Sequence, residues 1–100
     1  MNSIRITVIR VADYADLSAR YELPQREPCS MRVGQTFRTT GAVCPAGFCP
    51  AAWRAIQPYA QGLLGEGGLY IEGWMRDPRS AMVSCDDGFR PVSFLVERID

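Results

Sequence analysis

Residues 4–11 read Ile-Arg-Ile-Thr-Val-Ile-Arg-Val, and this stretch decides the fold. The β-branched side chains of Ile4, Ile6 and Val8 occupy alternate positions, with an arginine and a threonine between them. Because successive side chains of a strand point to opposite faces, this period of two places the three apolar side chains on one face. The stretch therefore predicts a β-strand that turns one face toward a core.

Three other runs along the chain have the composition of strands: residues 35–39, 81–85 and 89–99. The last two are joined through Asp86-Asp87-Gly88, and Asp-Gly is a strong signal for a two-residue hairpin turn. Pro91 lies early in the last run, which favours a place at a sheet edge or a bulge. The pattern predicts a mainly antiparallel sheet of about four strands with a C-terminal β-hairpin.

The principal helix is predicted to begin at Pro50, because the missing N–H of proline would have no partner at the first helical position. Cys49 then lies near the N-cap. Apolar residues recur downstream at helical spacing, at Trp53, Ile56, Ala60, Leu63 and Leu64. Gly65 can adopt the left-handed conformation that ends a helix, and Pro58 is expected to kink or split the segment.

A shorter helix is predicted over residues 14–21. Asp13 is a candidate N-cap, apolar side chains recur at positions 14, 17 and 21, and the segment ends before Pro24. Residues 69–78 have no period and are expected to be irregular. These elements and the strands predict a single α+β domain over residues 1–100, in which the principal helix packs on one face of the sheet.

Length and composition limit the class of protein. One hundred residues, 47% of them apolar and 22% charged, suit one globular domain and exclude a disordered or repetitive chain. Eleven arginines balance eleven acidic residues, so no net field attracts nucleic acid or an anionic membrane. No run approaches the roughly 20 apolar residues of a membrane span, and residues 4–11 lack the features of a signal peptide. We expect a cytoplasmic protein that binds neither nucleic acid nor membrane.

Four cysteines and the absence of histidine narrow the chemistry. Cys49 lies at a helix start, where unpaired N–H groups and a partial positive charge favour the thiolate. Folding could bring Cys29, from a loop, and Cys85, from the predicted hairpin, beside that helix start. A ligand set of cysteines alone selects zinc or an iron–sulfur cluster over metals that prefer imidazole. The predicted metal ligands are Cys29, Cys49 and Cys85. Cys44 is expected to be peripheral or a fourth ligand, since its spacing from Cys49 is a weak signal alone.

Two other interpretations of the same residues stay open. In the first, Cys49, Arg90 and a carboxylate from Asp86 or Asp87 line a catalytic pocket that acts on a small molecule without a cofactor. In the second, the cysteines are small buried apolar residues with a structural role. Asp87-Gly88 is first of all turn chemistry, and an ion pair across the turn also accounts for Arg90 beside Asp86.

Three blocks of sequence carry a resemblance. They are Pro28-Cys29 before Gly34-Gln35-Thr36-Phe37, then Pro45-Ala46-Gly47-Phe48-Cys49-Pro50, then Cys85-Asp86-Asp87-Gly88-Phe89-Arg90-Pro91-Val92. With them the chain resembles, over nearly its whole length, a small bacterial and archaeal family of conserved hypothetical proteins. The chain departs from that family at Ala51, where relatives often carry tryptophan, and at Cys44, which has no counterpart there. The resemblance implies three family cysteines, Cys29, Cys49 and Cys85, and no particular activity.

The sequence thus leaves several functions open. The first is a metal-binding or redox accessory protein built on the cysteines, and the second is a cofactor-free enzyme, such as a cyclase or isomerase of secondary metabolism. The third is a non-catalytic interaction module. A small molecule or a protein is the expected partner, and an edge strand near Pro91 leaves a homodimer open. We expect Cys29, Cys49 and Cys85 to converge in space.

Overall fold

The computed structural model describes residues 2–24 and 29–100, so Pro28 of the first motif block lies outside the described residues. In chain order the elements are β1 (Ser3–Val11), α1 (Ala15–Tyr21), β2 (Thr36–Thr40), α2 (Pro50–Leu64), β3 (Ser80–Ser84) and β4 (Val92–Arg98). Residues 69–79 contain neither helix nor strand, as the lack of period predicts. Neither helix of the described chain has the length and hydropathy that a membrane span requires.

The four strands form one antiparallel sheet in the order β2-β1-β4-β3. Strand β1 lies inside the sheet, where Ile6 is opposite Phe37 of β2 on one side and Val96 of β4 on the other. Strands β3 and β4 are adjacent and antiparallel, and they form the C-terminal hairpin. The predicted α+β fold, with its four-stranded antiparallel sheet, is confirmed.

The core lies between the sheet and α2. Ile4, Ile6 and Val8 are fully buried, as their alternation in the sequence predicts. Helix α2 packs on β3 and β4 and buries the predicted stripe of Trp53, Ile56, Ala60, Leu63 and Leu64, together with Ala52. Removing an aliphatic or aromatic side chain of this size from water stabilises the fold by about 1.5–3 kcal/mol each. Burial on this one side of the sheet therefore fixes the position of α2.

The other face of the sheet carries the alternate, more polar residues. Arg5 and Glu97 are opposite one another on β1 and β4, and their side chains form an ion pair of 3.2 Å. Met82 of β3 on the same face is more than a third exposed. The period of two in residues 4–11 thus reflects a sheet with one buried and one solvated face.

Helix α2 has the predicted ends and one unpredicted feature. Cys49 is the N-cap with extended backbone angles (φ −65°, ψ 119°), and Gly65 ends the helix in the left-handed region at φ 73°. The prediction that Pro58 splits the segment is wrong, because the helix runs without a break from Pro50 to Leu64. An interior proline costs about 3 kcal/mol, and the burial of the apolar stripe on both sides of it offsets that cost.

The two-residue turn predicted between the last strands is also wrong, because residues 85–91 lie between β3 and β4. A tight Asp-Gly turn of this kind needs a positive φ at the glycine, and Gly88 does not have one. The backbone carbonyl of Phe89 instead accepts a hydrogen bond of 2.8 Å from the N–H of Tyr14. The loop is therefore held by the segment before α1 rather than by a tight turn.

Pro91 occupies neither of its predicted positions. Strand β4 begins only at Val92 and lies between β1 and β3, so Pro91 precedes an interior strand rather than entering an edge strand. The irregularity in the sheet falls in β1, between Val8 and Arg10, opposite the start of β4. A proline just before a strand removes no hydrogen bond from the ladder, which is why the sheet accepts it there.

Candidate functional site

A cleft with a volume of about 680 Å³ opens beside the first turn of α2. Its wall includes three of the four cysteines, Cys29, Cys49 and Cys85, and we call it the cysteine cleft. The remaining wall comes from residues 30–31 and 47–48, from the first turn of α2, from residues 86–90 of the β3–β4 loop and from the start of β4. Its volume falls in the range of small-molecule sites, about 300–1,000 Å³.

Cys49 enters the cleft from the start of α2. Its side chain is half-buried and makes no capping hydrogen bond to the helix, and it packs against the core beside Phe48. Pro50 has no N–H, so the backbone donors of the first turn begin at Ala51 and Ala52, which both line the cleft. The partial positive charge of the helix start therefore lies on the same wall as the Cys49 sulfur.

The other two cleft cysteines are held by backbone groups. The Sγ of Cys85 accepts a hydrogen bond of 3.3 Å from the N–H of Val92, at the point where β4 begins. The Sγ of Cys29 accepts one of 3.5 Å from the N–H of Met31, whose side chain is buried in the core. Cys85 is half-buried and Cys29 is exposed, so both sulfurs can meet a molecule in the cleft.

Cys44 lies elsewhere. It is exposed, its thiol donates to the carbonyl oxygen of Pro45 at 3.7 Å, and it does not line the cysteine cleft. The four residues between Cys44 and Cys49 contain Gly47 with a positive φ, and this turn separates the two cysteines.

The cleft does not bring its thiols together as metal ligands. In residues 2–24 and 29–100, no three cysteine or acidic side chains are grouped so that they could hold a metal ion. Zinc–sulfur bonds are about 2.3 Å long, so three thiolate ligands must meet at one point. The described residues therefore do not fit a zinc or iron–sulfur site as they are arranged, and we derive no chemistry through a metal.

Arg90 extends from the β3–β4 loop into the cleft wall. Two carboxylates outside the cleft, one before and one after α1, hold its guanidinium. Its Nη1 donates to Oε1 of Glu22 at 2.7 Å, and its Nε lies 3.7 Å from Oδ1 of Asp13. The hydrogen bond to Glu22 raises the pKa of the Arg90 guanidinium above its ordinary value. Arg90 thus pairs with residues on both sides of α1 rather than with Asp86 across the turn.

The two aspartates of the loop have different surroundings. Oδ1 of Asp87 accepts hydrogen bonds from the backbone N–H groups of Phe89 at 2.9 Å and Arg90 at 3.4 Å. This is the local turn chemistry that an Asp-Gly sequence predicts, in a longer loop. Asp86 is exposed on the wall of the cleft. Asp87 therefore shapes the loop, while Asp86 presents a solvated carboxylate.

Arg54 supplies a second cation to the cleft. It lies one turn into α2, lines the cleft and is exposed. Among the residues that the structure describes, it has no ion pair or hydrogen-bond partner for its guanidinium. Its five N–H donors therefore face solvent at the cleft.

Sequence patterns did not identify Glu22 as a member of this site. Its side chain is only 6% exposed, and it connects the end of α1 to Arg90, which is 68 residues away in the chain. Nothing in the local composition around Glu22 marks a buried carboxylate. Only the packing of α1 beside the β3–β4 loop reveals the partner.

Comparisons with models of protein families, with curated protein sequences and with solved structures gave no match.

Proposed function

We propose that this protein is a small enzyme that acts on a small organic molecule in the cysteine cleft, without a cofactor, and uses Cys49 as its nucleophile. One observation carries the proposal: three thiols, two guanidinium groups and an exposed carboxylate share one cleft of about 680 Å³. Large clefts that combine apolar walls with nucleophilic and charged side chains are the usual form of a small-molecule site. The proposed enzyme works in the cytoplasm, where thiols stay reduced.

Cys49 is the best placed of the three thiols for nucleophilic attack. Cys49 lies at the N-terminus of a helix, whereas Cys29 and Cys85 lie outside the helices, where the N–H groups of Met31 and Val92 hold their sulfurs. The first turn of α2 also favours a negative charge at this sulfur by about 0.3–1 kcal/mol. A thiolate is the reactive form of cysteine, so this position promotes attack on an electrophilic carbon.

The loop residues take three roles in the proposal. Asp86, exposed on the cleft wall, donates or accepts the proton that the substrate exchanges. Asp87, predicted as a catalytic carboxylate, accepts hydrogen bonds from the N–H groups of Phe89 and Arg90, and we assign it the role of holding the loop. Arg90, which also lines the cleft, contacts the substrate.

An isomerase or cyclase reaction fits this set of groups. The Cys49 thiolate forms a C–S bond to an activated double bond, and the displaced electron pair moves to a carbonyl oxygen of the substrate. After rotation about the resulting single bond, the carbonyl re-forms its double bond and the returning electron pair expels the thiolate. In a ring closure, the enolate carbon first bonds to a second electrophilic carbon of the substrate. Asp86 then moves the α-proton to the anion that this creates, and the regenerated enolate expels the thiolate. The sulfur leaves unchanged, so the cycle consumes no oxidant, reductant or cofactor.

The rate of alkylation of Cys49 tests this proposal. We expect its rate with iodoacetamide at pH 7 to exceed that of N-acetylcysteine amide, an unstructured thiol without a free carboxylate, by about two- to fivefold, the factor that the helix start supplies. The modified residue is identified by peptide mass spectrometry in a Cys44→Ser background, because residues 39–54 form one tryptic peptide that contains both cysteines. Cys49→Ala removes the fast phase. A Cys49 that reacts no faster than N-acetylcysteine amide overturns the proposal and favours a structural role for the cysteines.

The metal-binding hypothesis makes a different prediction. It rests on the three cysteines that line the cleft, Cys29, Cys49 and Cys85, and it requires them to move together, because the described structure does not group them as metal ligands. Elemental analysis and an absorption spectrum of protein purified without oxygen distinguish the two. Stoichiometric zinc or iron that is lost in Cys49→Ser and retained in Cys44→Ser would replace the enzyme proposal with a metal centre. We expect substoichiometric metal in both variants and in the parent protein.

A further inference from the structure

We infer that the substrate of the cysteine cleft carries an oxyanion, a carboxylate or a phosphate group, and that Arg54 and Arg90 bind it beside Cys49. This inference rests on the proposed function and adds the chemical class of the substrate. It is drawn from the hydrogen bonds and ion pairs that the charged groups around the cleft already make.

Arg90 is a cation that is fixed in place before a ligand binds. Glu22 accepts from its Nη1 and Asp13 lies near its Nε, while its Nη2 has no hydrogen bond to a residue that the structure describes. The Glu22 side chain is almost fully buried, so the carboxylate that holds the guanidinium is itself fixed in place. A guanidinium anchored in this way can offer its remaining N–H donors to an oxyanion in a defined direction.

Arg54 faces the same cleft from α2 without a partner among the described residues. A bound oxyanion would supply acceptors that only solvent supplies in the free protein. Because Arg54 is exposed, its contribution is the modest one of a partly screened charge pair.

Asp86 and Asp87, the acidic residues of the cleft wall, differ in how available their negative charges are to a ligand. Oδ1 of Asp87 is engaged by two backbone N–H groups, which stabilise its negative charge within the loop. Asp86 is exposed to solvent. A cationic ligand would therefore find one solvated carboxylate, whereas an oxyanion finds the unpartnered guanidinium of Arg54 and the remaining N–H donors of Arg90, whose charge Glu22 and Asp13 already share. This difference in available partners favours the anion.

The rest of the wall indicates an apolar body for the same molecule. Phe48, Val92 and Phe94 all line the cleft and are buried members of the core. Aromatic and aliphatic walls of this kind favour a ligand with a hydrocarbon part beside its charged group. The inferred substrate is thus a small organic acid or phosphate ester with an apolar body and an electrophilic carbon.

Two alkylating reagents of nearly equal size test the inference without knowledge of the substrate. Iodoacetate is an anion and iodoacetamide is neutral, and with either one the thiolate forms a C–S bond while iodide leaves with the electron pair. The protein is treated with an equimolar mixture, and the ratio of the two products on Cys49 is compared with the ratio for N-acetylcysteine amide, which carries no charge of its own beside the thiol. We expect the protein to favour iodoacetate by about threefold relative to that reference, as partly exposed charge pairs allow.

Matched variants identify the residues responsible. Arg54→Gln and Arg90→Gln should each return the product ratio toward the value for N-acetylcysteine amide, as should salt at about 1 M. Arg38→Gln makes the same charge change on β2, where Arg38 is exposed and lies outside the cleft, and should leave the ratio unchanged. If Arg90→Gln does not fold, Arg54→Gln alone tests the inference. The Arg54 guanidinium has no ion pair or hydrogen bond to a described residue, so this substitution should leave the fold intact.

Protection experiments separate the two classes of oxyanion. Benzoate, phenyl phosphate and the neutral benzamide share one apolar body, and each is added before iodoacetamide. We expect protection of Cys49 by benzoate or phenyl phosphate, whichever group the cleft accepts, and little by benzamide. Equal protection by all three, or an unshifted product ratio on a fast-reacting Cys49, overturns the inference and leaves the enzyme proposal intact. A slow reaction with both reagents instead overturns the enzyme proposal itself.

Discussion

At the scale of single residues, the ion pair between Glu22 and Arg90 connects the candidate site to the rest of the molecule. A carboxylate with a 6% exposed side chain requires a partner, because an unpaired buried charge is costly. Arg90 is that partner at 2.7 Å, and Asp13 adds a weaker contact. The pair holds the β3–β4 loop against the end of α1.

We expect Glu22→Gln to lower the free energy of unfolding by about 1.5–3 kcal/mol, the range for a hydrogen bond to a charged group. The matched control is Glu97→Gln, which removes the more exposed Arg5–Glu97 pair on the solvated face of the sheet. That change should cost less than about 1 kcal/mol. Urea denaturation of both variants provides the comparison. Equal losses would show that Glu22 contributes no more than a surface ion pair.

At the scale of elements, α1 and α2 contribute in different ways. Helix α2 carries the core stripe and the nucleophile, whereas α1 has no buried residue and is connected to the cleft through its flanking residues. The chain that follows α2 turns back and passes close to the second half of the helix. The N–H of Leu69 donates to the carbonyl of Pro58 at 2.9 Å, which joins the irregular segment to the middle of the helix.

That close crossing makes Gly62 sensitive to any side chain. A Cβ at Gly62 would lie 1.9 Å from the carbonyl oxygen of Leu69, a distance that forces the backbone of the crossing segment to move. Alanine is favoured over glycine in a helix by at most about 1 kcal/mol, whereas overpacking costs about 1–3 kcal/mol. We expect Gly62→Ala to be destabilising in thermal or urea unfolding. Gly88→Ala is the control, since nothing lies within 4 Å of its added Cβ, and it should change stability by less than about 0.5 kcal/mol. A stabilised Gly62→Ala would contradict the close approach.

The elements also show what a sequence can predict. Residues 4–11 and the segment from Cys49 to Gly65 carry their signals locally, as alternation in one case and as a cap, a stripe and a terminal glycine in the other. Both elements were therefore predicted correctly, apart from the break expected at Pro58. The β3–β4 loop was not, because its conformation depends on hydrogen bonds to the segment before α1. The three cleft cysteines were proposed from their motifs, but the Glu22–Arg90 pair joins residues 68 positions apart and has no local signal.

At the scale of the whole molecule, the core and the cysteine cleft share side chains. Phe94 is fully buried in β4 and also lines the cleft, where its ring lies 5.3 Å from that of Phe48. Phe48 in turn precedes Cys49 and makes an edge-on contact with Phe37 of β2 at 4.9 Å. The packing of these three rings therefore sets the shape of the cleft wall as well as the stability of the sheet.

Phe94→Leu tests this coupling. The smaller side chain should lower the free energy of unfolding by about 1–3 kcal/mol and widen the cleft beside Cys49, which changes how closely an apolar ligand body fits. Val96→Ala is the control, because Val96 is also fully buried on β4 and does not line the cleft. Both variants should lose stability in urea denaturation, but only Phe94→Leu should alter the protection of Cys49 by benzoate or phenyl phosphate. If the two variants change protection equally, general loosening of the fold explains the effect. In that case the aromatic wall has no specific role in binding the apolar body of the substrate.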